Sequence, residues 1–271
     1  VFSYCYSLTS VVVESDNAIY DSRENCNAII ETATNKVIAG CKKSIIPNSI
    51  TSIGDWAFYG SSIASISIPN SVTSIGDQAF LECESLLSIS IPNSVRSVGG
   101  DAFADCLSLV SVNMGNNITS IEDGTFEGCT SLATISLSNS IENIGEEAFA
   151  SCTSLKSFTV PNSVKSIGEE AFAGCETLGT IVLGDKVKEI GNYAFNGCDK
   201  LYHIYCYAPE SPIADEDVFA NYNVNLYVPC NYLDNYKYDR VFGSFRYIQC
   251  IESEDVTTDD VVVTPSTNDV T

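Results

Sequence analysis

This sequence of 271 residues contains twelve cysteines, whose thiols are candidates for chemistry. Thiols can pair as disulfides, bind metal ions or act as nucleophiles. Six of them recur with a step of 23 residues: Cys83, Cys106, Cys129, Cys152, Cys175 and Cys198. Side chains that repeat once per structural unit point in the same direction, which suits a disulfide badly. We therefore predict unpaired, buried thiols that pack as small apolar groups.

The other cysteines leave more than one interpretation open. Cys26 and Cys41 would face each other across a hairpin that turns at residues 33–34, so a bridge between them is possible, although we expect a reduced pair. Cys206, Cys230 and Cys250 lie outside the regular column, and the sequence does not decide their redox state. No C-x-x-C motif is present, so we predict neither a zinc site nor any other cofactor.

Catalytic motifs are missing from the sequence. His203 is the single histidine, and no nucleophile motif such as G-x-S-x-G accompanies it. The acidic pairs at 146–147 and 169–170 recur because the repeat recurs, whereas two carboxylates that act as acid and base need different environments. We therefore predict that the chain is not an enzyme. A carbohydrate-active or other hydrolase remains the least supported alternative.

The regular cysteines belong to a longer repeat. A phenylalanine stands three residues before each of them and a leucine three residues after, which gives the unit I-G-x-x-A-F-x-x-C-x-x-L-x-x-I-x-[ILV]. The alternation in L-x-x-I-x-I predicts a short half-buried strand. The spacing by three and four in G-x-x-A-F-x-x-C predicts one or two turns of helix. Acidic residues open that segment, where a helix dipole would favour them.

One such unit cannot bury its apolar side alone, but stacked units can. The repeat therefore predicts a solenoid with one parallel strand per unit. Strands are expected near residues 12, 67, 90, 113, 136, 159, 182, 205 and 227.

The unit resembles the BspA-like (Treponema pallidum-type) class of leucine-rich repeats, and the resemblance covers about residues 46–207. It implies a right-handed, curved α/β solenoid. Parallel strands would line the concave side, with short helices or 3-10 turns on the convex side. The resemblance also implies a bacterial surface or secreted protein, often from gut or oral Bacteroidetes, and so an extracellular or cell-surface location.

The repeat pattern also divides the chain. Phe2, Cys5 and Leu8 keep the repeat spacing, so we expect the chain to begin inside a repeat whose upstream residues were removed. The predicted segments are a partial repeat (1–13), an inserted β-hairpin (14–45), the repeat array (46–206), a degenerate repeat with a C-terminal cap of a short helix and a last strand (207–250), and an acidic flexible linker (251–271).

Composition limits the possible partners. With 13 basic and 35 acidic residues the net charge is -22, which argues against nucleic acid and against an anionic membrane surface as partners, because both require clustered positive charge. No apolar run is long enough to span a membrane. We expect a monomer whose partner, if it has one, is a protein or a glycan of a host or an extracellular matrix.

The outward side of the predicted strands is the remaining candidate for binding. Small hydroxyl side chains such as Ser88, Ser111 and Thr134 occupy most of it, and bulkier side chains appear only towards the C-terminus. Tyrosine is a frequent interface residue. The candidate ligand-binding residues are Thr159, Thr180, His203, Tyr205 and Tyr207. The leading hypothesis is a non-catalytic, adhesin-like interaction module. A structural spacer that displays another domain is the alternative. We expect the tyrosines of the cap (207–250) to close the apolar end of the array rather than to form a ligand platform.

Overall fold

The computed structural model describes residues 7–251. Phe2 and Cys5 of the predicted partial repeat, and residues 252–271 of the predicted linker, lie outside the described residues. The strands in chain order are β1 (Tyr20–Asp21), β2 (Ile29–Glu31), β3 (Lys36–Ala39), β4 (Ser52–Ile53), β5 (Ser74–Ile75), β6 (Ser88–Ser90), β7 (Ser97–Val98), β8 (Ser111–Asn113), β9 (Ser120–Ile121), β10 (Thr134–Ser136), β11 (Asn143–Ile144), β12 (Ser157–Thr159), β13 (Ser166–Ile167), β14 (Thr180–Leu183), β15 (Glu189–Ile190), β16 (His203–Cys206), β17 (Asn225–Pro229) and β18 (Tyr247–Ile251). The helices are 3-10 turns at Arg23–Asn25, Cys230–Tyr232 and Phe242–Ser244, and α1 (Leu233–Lys237).

The L-x-x-I-x-I segments form what we call the first sheet, in two parallel pieces with strand orders β10-β8-β6 and β12-β14-β16-β17-β18. Equivalent residues of successive units pair, as Ser88 does with Ser111. The predicted leucine-rich-repeat solenoid is confirmed, with about 9 turns and ~23-residue spacing. No strand forms near residue 12 or residue 67, where two were expected. The last strand, β18, extends to Ile251, one residue into the segment predicted as linker.

A second sheet, absent from the predictions, is built mainly from S-I and related dipeptides, most of which precede the glycine of the unit. Its parallel pieces are β3-β4-β5-β7 and β15-β13-β11-β9. The glycine that follows each dipeptide lies against the previous coil. A Cβ on Gly99 would stand 2.5 Å from the backbone N of Asp77, and one on Gly191 would stand 2.4 Å from that of Glu169. Only glycine allows this close approach of two backbones.

The G-x-x-A-F-x-x-C segments differ from the prediction of helical turns. We call the seven six-residue segments around the buried phenylalanines the turn ladder; they cover 55–60, 77–82, 100–105, 123–128, 146–151, 169–174 and 192–197. The second and sixth residues of every segment have positive φ, so no helix can form. Instead, in the first six segments the N–H groups of the second, fourth and sixth residues donate to the next coil, as Phe80 N does to Ala102 O at 2.8 Å; in the last segment Phe195 N donates to Val218 O.

A continuous stack of phenylalanine rings fills the core. From Phe58 to Phe219 each ring lies 4.9–5.6 Å from the next, and the ring planes differ by at most 14°. The rings from Phe58 to Phe195 are at most 1% exposed. The stack follows from the hydrogen bonds of the turn ladder, which hold equivalent residues at one strand spacing.

Both sheets are interrupted once, at neighbouring coils. The second sheet has no pairing between β7 and β9, where Glu122 stands in place of the glycine of the other units. Because the glycine position touches the previous backbone, a side chain there separates the two strands. The first sheet is interrupted between β10 and β12, where Phe158 replaces the usual Ile or Val and packs 5.0 Å from Phe149 and 4.8 Å from Phe172.

The two ends of the array are closed differently. At one end, β2 pairs antiparallel with β1 and β3, and β3 pairs parallel with β4, so this hairpin continues the second sheet. At the other end, the buried Tyr236 and Phe242 of the C-terminal segment cover the core. A disulfide between Cys230 and Cys250 joins the end of β17 to β18.

Two neighbouring glycines test the importance of the close backbone approach. We expect Gly99→Ala to lower the free energy of unfolding by about 1–3 kcal/mol, because its Cβ would stand 2.5 Å from Asp77 N. Gly100→Ala should change it by less than about 1 kcal/mol, because the nearest atom would be Asp123 O at 3.3 Å. Urea denaturation of both variants measures the difference. Equal destabilisation would contradict this account of the I-G glycines.

Candidate binding surface

Strand alternation on β16 separates the candidate residues from the core. Ile204 and Cys206 are fully buried, whereas His203 and Tyr205 are half-buried and face outward. Tyr207 follows the strand and is also half-buried. This placement agrees with the period of two in the sequence. The outward face of the first sheet therefore presents His203 and Tyr205 side by side on one strand.

Neighbouring strands bring some of the predicted residues together. Thr180 pairs directly with His203, so these two side chains are adjacent on the outward face. Thr159 pairs with Val182, which in turn pairs with Tyr205. Thr159 therefore lies two strands from Tyr205, at the exposed margin of the group.

The structure adds Tyr227 on β17, which sequence analysis did not include in the site. Tyr205 pairs with Tyr227, and their rings stack with centroids 4.6 Å apart and planes within 11°. The His203 ring lies 5.9 Å from that of Tyr227. Burial raises the pKa of Tyr205, and the nearby Tyr227 and Tyr207 hydroxyls add to the shift. The Tyr205 phenol therefore stays neutral at physiological pH and can donate a hydrogen bond.

The last strand extends this surface with polar and charged groups. Tyr247 pairs with Asn225, and Gln249 pairs with Tyr227. The Arg246 guanidinium lies 5.2 Å from the centre of the Tyr247 ring. We call Thr180, His203, Tyr205, Tyr227 and Tyr247 the tyrosine surface. A signal for Tyr227 was present in the sequence, since L-Y-V-P at 226–229 predicts one more strand with Tyr227 outward.

Among the described residues, the tyrosine surface contains one buried side-chain polar atom that makes no hydrogen bond. The Nδ1 atom of His203 is buried and makes no hydrogen bond to any of the described residues. An imidazole nitrogen buried in this way favours a ligand that supplies a hydrogen bond. The neighbouring rings provide flat apolar area around that nitrogen.

The opposite end of the first sheet is polar and uncharged. Residues 65–68 do not pair with β6, and a groove of about 710 Å³ opens between them. Ser67, Ser88, Ser90 and Asn113 are among its lining residues. Between this groove and the tyrosine surface, the outward side chains are serines and threonines, except for Val182.

The regular cysteines are unpaired and buried, as predicted. Each thiol also donates a hydrogen bond to the phenylalanine carbonyl of the previous coil, as Cys129 Sγ does to Phe103 O at 3.1 Å. Burial raises the pKa of Cys83, Cys129 and Cys198 to about 12. Such thiols form almost no thiolate near neutral pH, so they are chemically inert.

The remaining cysteines separate into two kinds. Cys26 and Cys41 are free and buried, which agrees with the expected reduced pair. Cys206 is also free, and its Sγ lies 3.2 Å from the Tyr236 Oη. Cys230 and Cys250 are exposed and form the disulfide, which the sequence left undecided.

Thiol labelling tests this division. We expect an iodoacetamide reagent at pH 8 to leave the regular cysteines of the native protein unmodified and to label them after denaturation, because their pKa is raised by burial. Mild reduction without denaturant should add label only at the exposed Cys230 and Cys250. Peptide mass spectrometry locates the label. Labelling of Cys129 in the folded protein at the rate of Cys230 would contradict the buried column.

Carboxylates crowd the exposed side of the turn ladder. Burial raises the pKa of Glu127, and the nearby Glu147, Asp105 and Asp101 raise it further. Burial likewise raises the pKa of Asp105 and of Glu147, each of which has other carboxylates beside it. The face therefore carries a concentrated negative charge.

This crowding makes stability depend on pH. A carboxyl whose pKa is raised by folding binds its proton more tightly in the native state, so native stability increases as the pH falls from 7 towards about 5. We expect the urea midpoint to rise over that range, and Glu127→Gln to raise stability at pH 7 by less than about 1 kcal/mol while weakening the pH dependence. Thr119→Ala, at an exposed position outside the turn ladder, serves as control. A midpoint that falls from pH 7 to 5 would refute this sign.

Within residues 7–251, no group of three or more His, Cys, Asp or Glu side chains could hold a metal ion. Over the same range, no helix has the length and apolar character needed to cross a bilayer.

Similar folds occur among solved structures of bacterial leucine-rich repeat proteins. One from Bacteroides ovatus is 33% identical with a TM-score of 0.58, over 76% of this chain and 46% of that chain. One from Eubacterium ventriosum is 25% identical with a TM-score of 0.67, over 73% and 54%. The leucine-rich repeat protein of T. pallidum is 27% identical with a TM-score of 0.54, over 72% and 81%. This chain spans about half the length of the first two.

No curated protein matches this chain. A family model described as the BspA type leucine rich repeat region, with 6 copies, matches residues 1–133 and 119–234. Its extent agrees with the coils of the solenoid. The chain therefore belongs to the BspA type leucine-rich repeat family.

Proposed function

We propose that this chain is a non-catalytic interaction module of a bacterial surface or secreted protein, and that it binds a protein or glycan partner through the tyrosine surface. The observation that carries the proposal is the stacked pair Tyr205 and Tyr227 next to His203 on an outward sheet face. Aromatic side chains of this kind supply contact area at a low cost in conformational entropy. Towards the N-terminus, the outward face offers mostly small hydroxyl side chains.

Physical chemistry favours the tyrosine surface over the rest of the first sheet as the place where a partner binds. The Tyr205 and Tyr227 rings stack on each other and are therefore ordered before a partner binds, which reduces the entropy lost on association. The His203 Nδ1 lacks a hydrogen bond among the described residues, and a hydroxyl or amide of the partner would supply one. Arg246 and Gln249 would form a polar rim.

The disulfide supports an extracytoplasmic location. Cys230 and Cys250 are exposed, and an exposed disulfide persists in an oxidising compartment, whereas cytosolic reductants would open it. The family resemblance implies the same location. We therefore propose that the module works outside the bacterial cytoplasm.

A spacer role is the second candidate. The observation that favours it is the uniform outward row of small hydroxyl side chains, including Ser111, Thr134 and Ser157, which gives a hydrophilic surface without anchor residues. A pure spacer would bind none of the probes, and substitution of the tyrosine surface would have no effect on its role.

Substitution of both stacked tyrosines tests the leading proposal. We expect the 271-residue chain to bind at least one member of a panel of extracellular-matrix proteins and arrayed glycans, and Tyr205→Ala with Tyr227→Ala to weaken that binding by about tenfold or more. Biolayer interferometry measures the affinity. Tyr238→Ala is the matched control, because Tyr238 is 87% exposed and lies in the cap. Undiminished binding by the double variant, or no binding to any probe, would refute the proposal.

A further inference from the structure

Trp56 occupies a position that the fold does not require to be aromatic. It is the second residue of its turn-ladder segment, and all seven residues in that position have φ between 51° and 59°. The position is occupied by Trp56, Gln78, Asp101, Gly124, Glu147, Glu170 and Tyr193. The first six of them donate a backbone N–H to the next coil, as Trp56 N does to Asp77 O at 3.0 Å. A glycine provides the same hydrogen bond, as Gly124 shows.

A bulky side chain at positive φ is strained relative to glycine. The indole of Trp56 regains little by burial, since the residue is 57% exposed. Its aromatic neighbour is Tyr59, whose ring stands edge-on at 6.2 Å. A strained and exposed tryptophan, next to a tyrosine, indicates a contact made with another molecule.

The charge around this aromatic pair defines the partner. Asp55 precedes Trp56, and the Tyr59 hydroxyl donates to the Glu82 carboxylate at 3.1 Å. The turn ladder as a whole contains eleven acidic residues and no lysine or arginine. Burial raises the pKa of Glu127, and Glu147 and Asp105, which lie on the two neighbouring coils, raise it further. Carboxylates of successive coils are therefore close enough to interact, and the negative potential extends along the turn ladder.

We propose that Trp56 and Tyr59 form a docking site for a basic segment of a protein partner. A lysine or arginine side chain would lie over the Trp56 ring, the preferred aromatic partner of a cation. Further basic side chains would lie along the acidic row. Charge complementarity selects this occupant, because a segment of like charge would be repelled and a neutral one would gain nothing from the carboxylates. This site is independent of the tyrosine surface.

The length of the turn ladder sets the length of a peptide that can test this proposal. Six steps of about 5 Å separate Trp56 from Tyr193, and an extended peptide advances ~3.3 Å per residue. A peptide of about ten residues therefore covers the row. The probe is a labelled ten-residue peptide of alternating arginine and serine, and the control peptide has glutamine in place of arginine.

The single tryptophan makes the test direct, because the intrinsic fluorescence at 295 nm excitation comes from Trp56 alone among the 271 residues. We expect the arginine peptide to change this fluorescence at low ionic strength and the glutamine peptide to leave it unchanged. In peptide anisotropy, Trp56→Gly should weaken binding by about tenfold. Its thermal unfolding midpoint should be unchanged or higher, because the strain is removed.

Two further variants locate the bound peptide on the molecule. Tyr202→Ala removes an aromatic side chain of the same 57% exposure away from the turn ladder and should bind the peptide like the unmodified chain. Tyr205→Ala with Tyr227→Ala should also bind it normally, so failure of this site and failure of the tyrosine surface are distinguishable. Unchanged affinity of Trp56→Gly would show diffuse electrostatic binding and overturn the proposal. A fluorescence change with neutral oligosaccharides but not with the arginine peptide would overturn it as well.

Discussion

The hydrogen bonds of the turn ladder are the constraint on which the rest of the structure depends. They join the second, fourth and sixth residues of one segment to the first, third and fifth of the next, and so place each residue beside its own equivalent. Every buried column must then contain a residue that packs well against itself. Phenylalanine rings stack at 4.9–5.6 Å, and each regular thiol donates to a phenylalanine carbonyl of the previous coil. The repetition of the sequence is a consequence of this geometry.

The interruptions of the two sheets show that the turn ladder and the sheets together hold each coil beside the next. Glu122 separates β7 from β9, and the first sheet is open between β10 and β12. The turn ladder continues through both places, since Phe103 N bonds to Thr125 O and Phe126 N to Ala148 O. The phenylalanine stack is likewise continuous there, with Phe103, Phe126 and Phe149 5.5–5.6 Å apart. A coil can therefore lose one sheet while the other ladders keep its position.

Sequence analysis recovered those features that depend on one clear periodicity. The period of two in L-x-x-I-x-I predicted the first sheet, and the step of 23 residues predicted the free thiols. The turn ladder was missed because the three-and-four spacing of Ala, Phe and Cys is shared with a helix. Its distinguishing signal is glycine or a short polar residue at the sixth position, as in Gly128 and Asp105.

Other features were inaccessible because they arise only after the coils have stacked. A two-residue strand such as β13 has too few residues to show a period, and its pairing depends on the glycine that follows. Cys230 and Cys250 lie 20 residues apart and meet because β17 and β18 are adjacent. The same holds for Tyr205 and Tyr227, which become neighbours through strand pairing. The tyrosine surface could be listed in part from sequence, but its stacking could not.

Repeat proteins of this kind allow a separation of structural from functional residues. Inward positions are constrained by self-packing, so their residue types report the fold. Outward positions are free of that constraint, and small polar residues satisfy them at no cost, as Ser88 and Ser111 do. The fold therefore gives no reason for a bulky outward residue. Trp56 is the strongest case, because its positive φ disfavours a bulky side chain. The outward aromatic departures from the repeat lie towards the two ends of the molecule, with Trp56 and Tyr193 on the turn ladder and Tyr205 and Tyr227 on the first sheet. This distribution is the reason for proposing two separate contacts on two faces.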